Sequence, residues 1–138
     1  MPRLVLQAAH YFDIKLVHVP HDDKFRLSLP HARKAVNSNT VAVYASAPSF
    51  PHGVIDDIEA LAELCQSRGI GLHVDNCLGG FLTSFMAKQG LLDRKFDFSV
   101  PGMLCVSVPS PMAGPHTRRV VSLARVVTRL PAPKASRA

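Results

Sequence analysis

The stretch that decides the fold runs from Thr40 to Gly80. It opens on Thr40-Val41-Ala42-Val43-Tyr44-Ala45, passes through Ser46 to Ile55 into Asp56 to Arg68, and closes on Gly69, Ile70 to Val74 and Asp75-Asn76-Cys77-Leu78-Gly79-Gly80. The first run is nearly continuous in apolar residues, the pattern of a strand buried on both faces. Asp56 with Glu59 three residues on has the form of a capping box, which predicts Asp56 as the N-cap of a helix. Within that helix Ile58, Leu61, Ala62 and Cys65 fall at i, i+3, i+4 and i+7 and make one apolar stripe, and Gly69 supplies a left-handed stop. Ile70 to Val74 then predicts a second short buried strand.

Strand, helix and strand at this spacing imply an α/β fold with a parallel sheet. The pattern extends on the N-terminal side. Leu4 to Phe12 reads as the end of a helix, and Lys15-Leu16-Val17-His18-Val19 as a short strand stopped by Pro20. Ser28 can cap a helix running to about Asn37, with Pro30 tolerated in its first turn.

Functional groups in such sheets gather at the carboxyl ends of the strands. Two segments stand there: Ser46 to Gly53 and Asp75 to Gly80. The first holds Ser46, Pro48, Ser49, Pro51, His52 and Gly53; its prolines lower the entropy lost on ordering, so it reads as a rigid polar binding loop. The second begins with an Asp at the end of a buried strand. Three readings of Asp75 stand side by side: a cap for the following loop, a partner for a buried cation such as a protonated cofactor nitrogen, or, with His73 on the same strand face, part of a metal pair. Cys77 reads either as a small buried hydrophobe or as a residue facing the same crevice. No His and orienting acid accompany it in the sequence as a cysteine nucleophile requires. His18 and His21 read as solvent-facing imidazoles at a strand end, and His10 and His31 as helical. No G-x-G-x-x-G or P-loop pattern occurs, which excludes those nucleotide sites at the motif level.

Composition narrows the function classes further. The 138 residues carry a formal net charge of +6, yet residues 1–108 balance ten basic against ten acidic residues, and the excess lies in residues 109–138. That basic stretch has no aromatic residue to stack on a base, so specific nucleic-acid binding is not expected. It also holds five of the eleven prolines, and it is expected to be poorly ordered, although Val120 to Val127 could form a strand. Three cysteines cannot all pair, so a disulfide scaffold is not expected. No apolar run reaches the roughly 20 residues of a membrane-spanning helix, and Met1 to His10 lacks the marks of a signal peptide.

Taken together, Ser46-Ala47-Pro48-Ser49-Phe50-Pro51-His52-Gly53-Val54-Ile55-Asp56 and Leu72-His73-Val74-Asp75-Asn76-Cys77-Leu78-Gly79-Gly80-Phe81 resemble the sphingosine-1-phosphate lyase family. Ala8-Ala9-His10-Tyr11-Phe12 upstream and Phe96-Asp97-Phe98-Ser99-Val100-Pro101-Gly102 downstream fit in the same order. The resemblance implies part of a type I aminotransferase-like large domain over residues 1–102, followed by a divergent basic, Pro-rich tail over 103–138. It implies pyridoxal 5'-phosphate as cofactor and cleavage of a phosphorylated long-chain base into a long-chain aldehyde and phosphoethanolamine. Asp75 would pair with the pyridinium nitrogen, Cys77 would pack against the cofactor ring, and Ser46 and His52 would lie near the cofactor or the substrate phosphate. The family is homodimeric and sits on the cytosolic face of the endoplasmic reticulum membrane; this chain, with no membrane segment, would be cytosolic.

One departure goes with the resemblance. Read without gaps from Gly102, the chain places Met112 where the family carries its Schiff-base lysine, with Pro109 and Pro111 at the neighbouring Asp and His. A thioether cannot form an imine. The expectation is therefore a fragment of the family, inactive alone, with a frame change or divergence beyond Gly102. A related amino-acid decarboxylase, and a non-catalytic remnant docking on a full-length subunit, stand as alternatives.

Overall fold

The computed structural model describes residues 3–77, 79–107 and 126–129. In chain order these form α1 (Arg3–Tyr11), β1 (Ile14–Val17), α2 (Leu29–Ala35), β2 (Thr40–Ser46), α3 (Ile58–Arg68), β3 (Gly71–Asp75), α4 (Gly80–Lys88), β4 (Met103–Ser107) and β5 (Val126–Arg129). The strands make one sheet in the order β1-β5-β2-β3-β4. β2, β3 and β4 run parallel, whereas β5 lies antiparallel to both β1 and β2.

The two faces of the sheet have different neighbours because side chains alternate along each strand. Val43, Ala45, Leu72 and Val74 point into the main core, where Ile58, Leu61, Ala62 and Cys65 of α3 and Ala32 of α2 meet them. The stripe read from the sequence is therefore the face that α3 buries. On the other face Tyr44 packs with Val5 of α1, and Leu16 and Ala42 flank them. Gly69 ends α3 with φ 63°, and its N–H returns to the last helical carbonyls, as a left-handed stop does.

Three expectations change. The N-cap of α3 is Asp57, whose carboxylate accepts the Ala60 N–H at 3.3 Å, and not Asp56. Asp56 is buried and accepts the N–H groups of Leu27 and Ser46 at 2.7 and 2.8 Å; two long-range donors outweigh one local cap. Val41 is exposed, so β2 is not buried along both faces at its start. Within the stretch expected to be poorly ordered, Val126–Arg129 is a strand in the middle of the sheet. Residues 108–125, with Pro109, Pro111 and Met112, and residues 130–138 lie outside the described residues. Among the described residues no helix is long and apolar enough to cross a membrane.

Candidate functional site

Parallel pairing brings the carboxyl ends of β2, β3 and β4 side by side. Asp75 closes β3 with Ser46 of β2 as its register partner on one side and Ser107 of β4 on the other. The pairing continues past the strand ends, since the Ala47 N–H donates to the Asp75 carbonyl at 2.8 Å. Alternation along β2 and β3 puts Tyr44 and Ser46 on the same sheet face as His73 and Asp75, opposite the main core.

The Asp75 carboxylate is half-buried and hydrogen-bonded at both oxygens. Oδ1 accepts the Cys77 N–H at 3.0 Å, an Asx-type contact across the turn, and Oδ2 accepts the phenol O–H of Tyr44. The capping reading of Asp75 and the cation-partner reading are compatible, because a carboxylate oxygen can accept more than one donor. His73 is 5% exposed, its Nε2 has no hydrogen-bond partner among the described residues, and its ring stacks on Tyr44 with centroids 5.3 Å apart. Burial lowers the His73 pKa below its ordinary value, against a smaller opposing pull from the Asp75 charge. Cys77 is exposed, which overturns its reading as a buried hydrophobe.

The polar loop after β2 is pinned at several points. Asp56 returns its own N–H to the Ser46 carbonyl at 3.0 Å while its carboxylate takes the Ser46 N–H. Ser49 N–H reaches Val54 O, and Gly53 N–H reaches Ser49 O, both at 2.8 Å, with Gly53 at φ 63°. Pro48 lies against the backbone of Gly79, so the two segments at the carboxyl end of the sheet touch directly. The Ser49 hydroxyl is buried without a partner among the described residues.

The structure thus brings Ser46, Asp75 and Cys77 together. His52 stands at the outer end of the loop, where its ring stacks on Phe25 at 4.5 Å and meets His21 edge-on at 5.9 Å. Sequence reasoning passed over Tyr44; its signal was its place two residues before Ser46, hence on the same strand face. It also misassigned Asp56, whose partners are remote in sequence. Among the described residues no group of three or more His, Cys, Asp or Glu is placed to hold a metal ion, and His73 with Asp75 gains no third ligand there.

A parallel α/β sheet with a hydrogen-bonded carboxylate at the end of a central strand, abutted by a pinned Pro-containing loop, matches one family model, aminotransferase class-V, over residues 4–79. The chain belongs to the aminotransferase class-V family. Within it the chain is similar to sphingosine-1-phosphate lyases. It is 50% identical over 102 residues to that of Arabidopsis thaliana, covering 74% of this chain and 19% of that protein. The solved sphingosine-1-phosphate lyase of Burkholderia pseudomallei superposes with a TM-score of 0.71 at 35% identity, covering 75% of this chain and 24% of that one. Identity falls to 33% over 102 residues against a protein of Methanothermobacter thermautotrophicus named probable L-tyrosine/L-aspartate decarboxylase, covering 74% of this chain and 28% of that protein. The chain spans about a fifth of the length of the lyase from Arabidopsis.

These relatives are pyridoxal phosphate-dependent. The residues present suit one end of such a group. Asp75 sets a carboxylate at the strand end, beside exposed Cys77 and Ser46. The buried hydroxyl of Ser49 in the adjoining loop, unpartnered among the described residues, is a donor suited to an acceptor there.

Proposed function

We propose that this chain is a stretch of a pyridoxal phosphate-dependent carbon–carbon lyase of the sphingosine-1-phosphate lyase type, acting on a phosphorylated long-chain base. The observation that carries the reading is Asp75 at the carboxyl end of β3, inside the run Asp75-Asn76-Cys77-Leu78-Gly79-Gly80-Phe81. The Cys77-Leu78 pair favours the lyase over the decarboxylases, which usually continue with alanines after the strand-terminal Asp, and the identities of 50% and 33% point the same way. When bound, the cofactor supplies the electron sink that cleavage of a bond beside an amine-bearing carbon requires.

The residues of this chain divide the rest of the work. Asp75 keeps a proton on the ring nitrogen, since a carboxylate beside it favours the charged form. Cys77 borders the ring with a polarizable thiol. Ser46 and His52 serve the phosphate side, Ser46 from beside Asp75 and His52 from the outer end of the loop. Cleavage itself needs a lysine for imine exchange, and position 112 is Met112. The chain alone therefore binds the cofactor weakly and without a covalent bond, and does not turn over substrate. In the family's setting it docks against a second subunit at the cytosolic face of the endoplasmic reticulum membrane.

Borohydride reduction of the full chain with pyridoxal 5'-phosphate tests this. The expected result is no unique modified lysine in the peptide map, with weak binding that Asp75→Asn abolishes. A stoichiometric adduct at one lysine, or aldehyde release above the free-cofactor background that is lost on Asp75→Ala, would show a working enzyme instead.

A further inference from the structure

We propose that Tyr44 is a positioning residue for Asp75: the phenol O–H, donated to Oδ2, holds the carboxylate in one rotamer at the end of the sheet. That the carboxylate meets a protonated ring nitrogen rests on the proposed function; the positioning itself does not.

The geometry is specific. An Asp at a strand end has three staggered χ1 wells open to it, and here each carboxylate oxygen has its own donor, Cys77 N–H on Oδ1 and Tyr44 O–H on Oδ2. The turn donor follows the backbone of Asp75, so it restrains the rotamer only locally. Tyr44 comes from the neighbouring strand, one pleat back on the diagonal, because its register partner is His73 and that of Asp75 is Ser46. Its aim is set by its surroundings: the side chain is 7% exposed, packed with Val5 and Leu16, and stacked on His73 at an interplanar angle of 30°. Burial disfavours charge on His73. The imidazole therefore acts as a flat wall behind the phenol and not as a rival cation for the carboxylate. A hydrogen bond to an ionised acceptor is among the stronger ones available.

The test uses the full chain and Tyr44→Phe, which keeps the ring and its stack and removes only the hydroxyl. Without any ligand, three-bond NMR couplings from the Asp75 carboxyl carbon to its own backbone nitrogen and carbonyl read the χ1 population. One rotamer in the wild type and averaged couplings in Tyr44→Phe support the proposal; a single unchanged rotamer in the variant overturns it. If Tyr44→Phe does not fold, the wild type decides, since averaged couplings there also overturn the proposal. A second arm compares equilibrium binding of pyridoxal 5'-phosphate with its 1-deaza analogue, which has carbon in place of the ring nitrogen. The expected result is a wild-type preference for the nitrogen ring that drops about tenfold in Tyr44→Phe while affinity for the analogue stays the same. Equal loss for both ligands would mean a merely structural tyrosine and overturn the proposal. A wild type that ignores the ring nitrogen, together with the rotamer change, supports positioning and removes the pyridinium reading.

Discussion

Asp56 and Leu27 join two loops that the chain keeps 29 residues apart: the Leu27 N–H donates to Asp56 Oδ1 at 2.7 Å, in a buried setting. The other oxygen takes the Ser46 N–H at 2.8 Å. One carboxylate therefore ties the turn before α2 to the carboxyl end of β2, beside the candidate site. An ordinary helix cap does nothing of the kind, and the difference is measurable.

Asp56→Asn should destabilise the chain by about 1–3 kcal/mol. The amide keeps one acceptor and turns an N–H₂ toward the second backbone N–H. At an N-cap, by contrast, Asn serves as well as Asp. Asp57→Asn should therefore be close to neutral, and Asp57→Ala should cost about 1 kcal/mol. Urea unfolding of the three variants checks this. A neutral Asp56→Asn with a costly Asp57→Asn would return the cap to Asp56.

His73 should make the fold sensitive to acid. Burial holds its pKa below the ordinary 6.5. Below 6.5 the unfolded chain takes up a proton that the folded chain resists, so stability falls as pH drops through and below that value. Above it, both states are neutral at this residue and it adds no pH dependence. The unfolding midpoint of the wild type should fall between pH 7.5 and pH 5.5 more steeply than that of His73→Phe, which keeps an aromatic stack on Tyr44. Parallel slopes in the two proteins would count against this.

The thiols should separate cleanly. Burial in the core pushes Cys65 up to about 11, and Cys77 is exposed. At neutral pH the Cys65 thiolate is scarce as well as inaccessible. Iodoacetamide should label Cys77 within the native chain and reach Cys65 only in denaturant, as read by peptide mass spectrometry. Equal native labelling of the two would mean that the α3 face is not packed as described.

Much of this architecture was legible because it is local. The stripe Ile58, Leu61, Ala62 and Cys65, the stop at Gly69 and the apolar runs on either side are set by periodicities of a few residues, and they sufficed for a parallel sheet with Asp75 at a strand end. What escaped is non-local. The order β1-β5-β2 depends on a strand from the far end of the chain pairing with two others, and no spacing in the sequence announces it. Asp56 and Asp57 each precede a helix by the right interval, and only the fold shows which one faces Leu27. Tyr44 lay within a run read as apolar, and its hydroxyl acquired meaning only once parallel register set Asp75 diagonally across from it.

Gly79 should tolerate no side chain, for a reason that has nothing to do with its backbone angles. Its φ of −89° and ψ of −7° are open to any residue, so Ala there carries no conformational penalty of the left-handed kind. The obstacle is Pro48. A Cβ on Gly79 would stand 2.2 Å from Pro48 Cδ and 2.4 Å from Cγ, atoms of a ring that cannot rotate aside. Either the loop from Ser46 to Gly53 or the turn after Asp75 must move. Gly79→Ala should therefore cost about 1–3 kcal/mol by overpacking and weaken any ligand held between the two segments. Gly53→Ala is the control: nothing lies within 4 Å of its Cβ position, but its φ of 63° is left-handed, so its cost, about 1 kcal/mol, is purely one of backbone strain. Thermal unfolding of the two glycine variants checks this, and a Gly79→Ala as stable as the wild type would show that these segments do not touch.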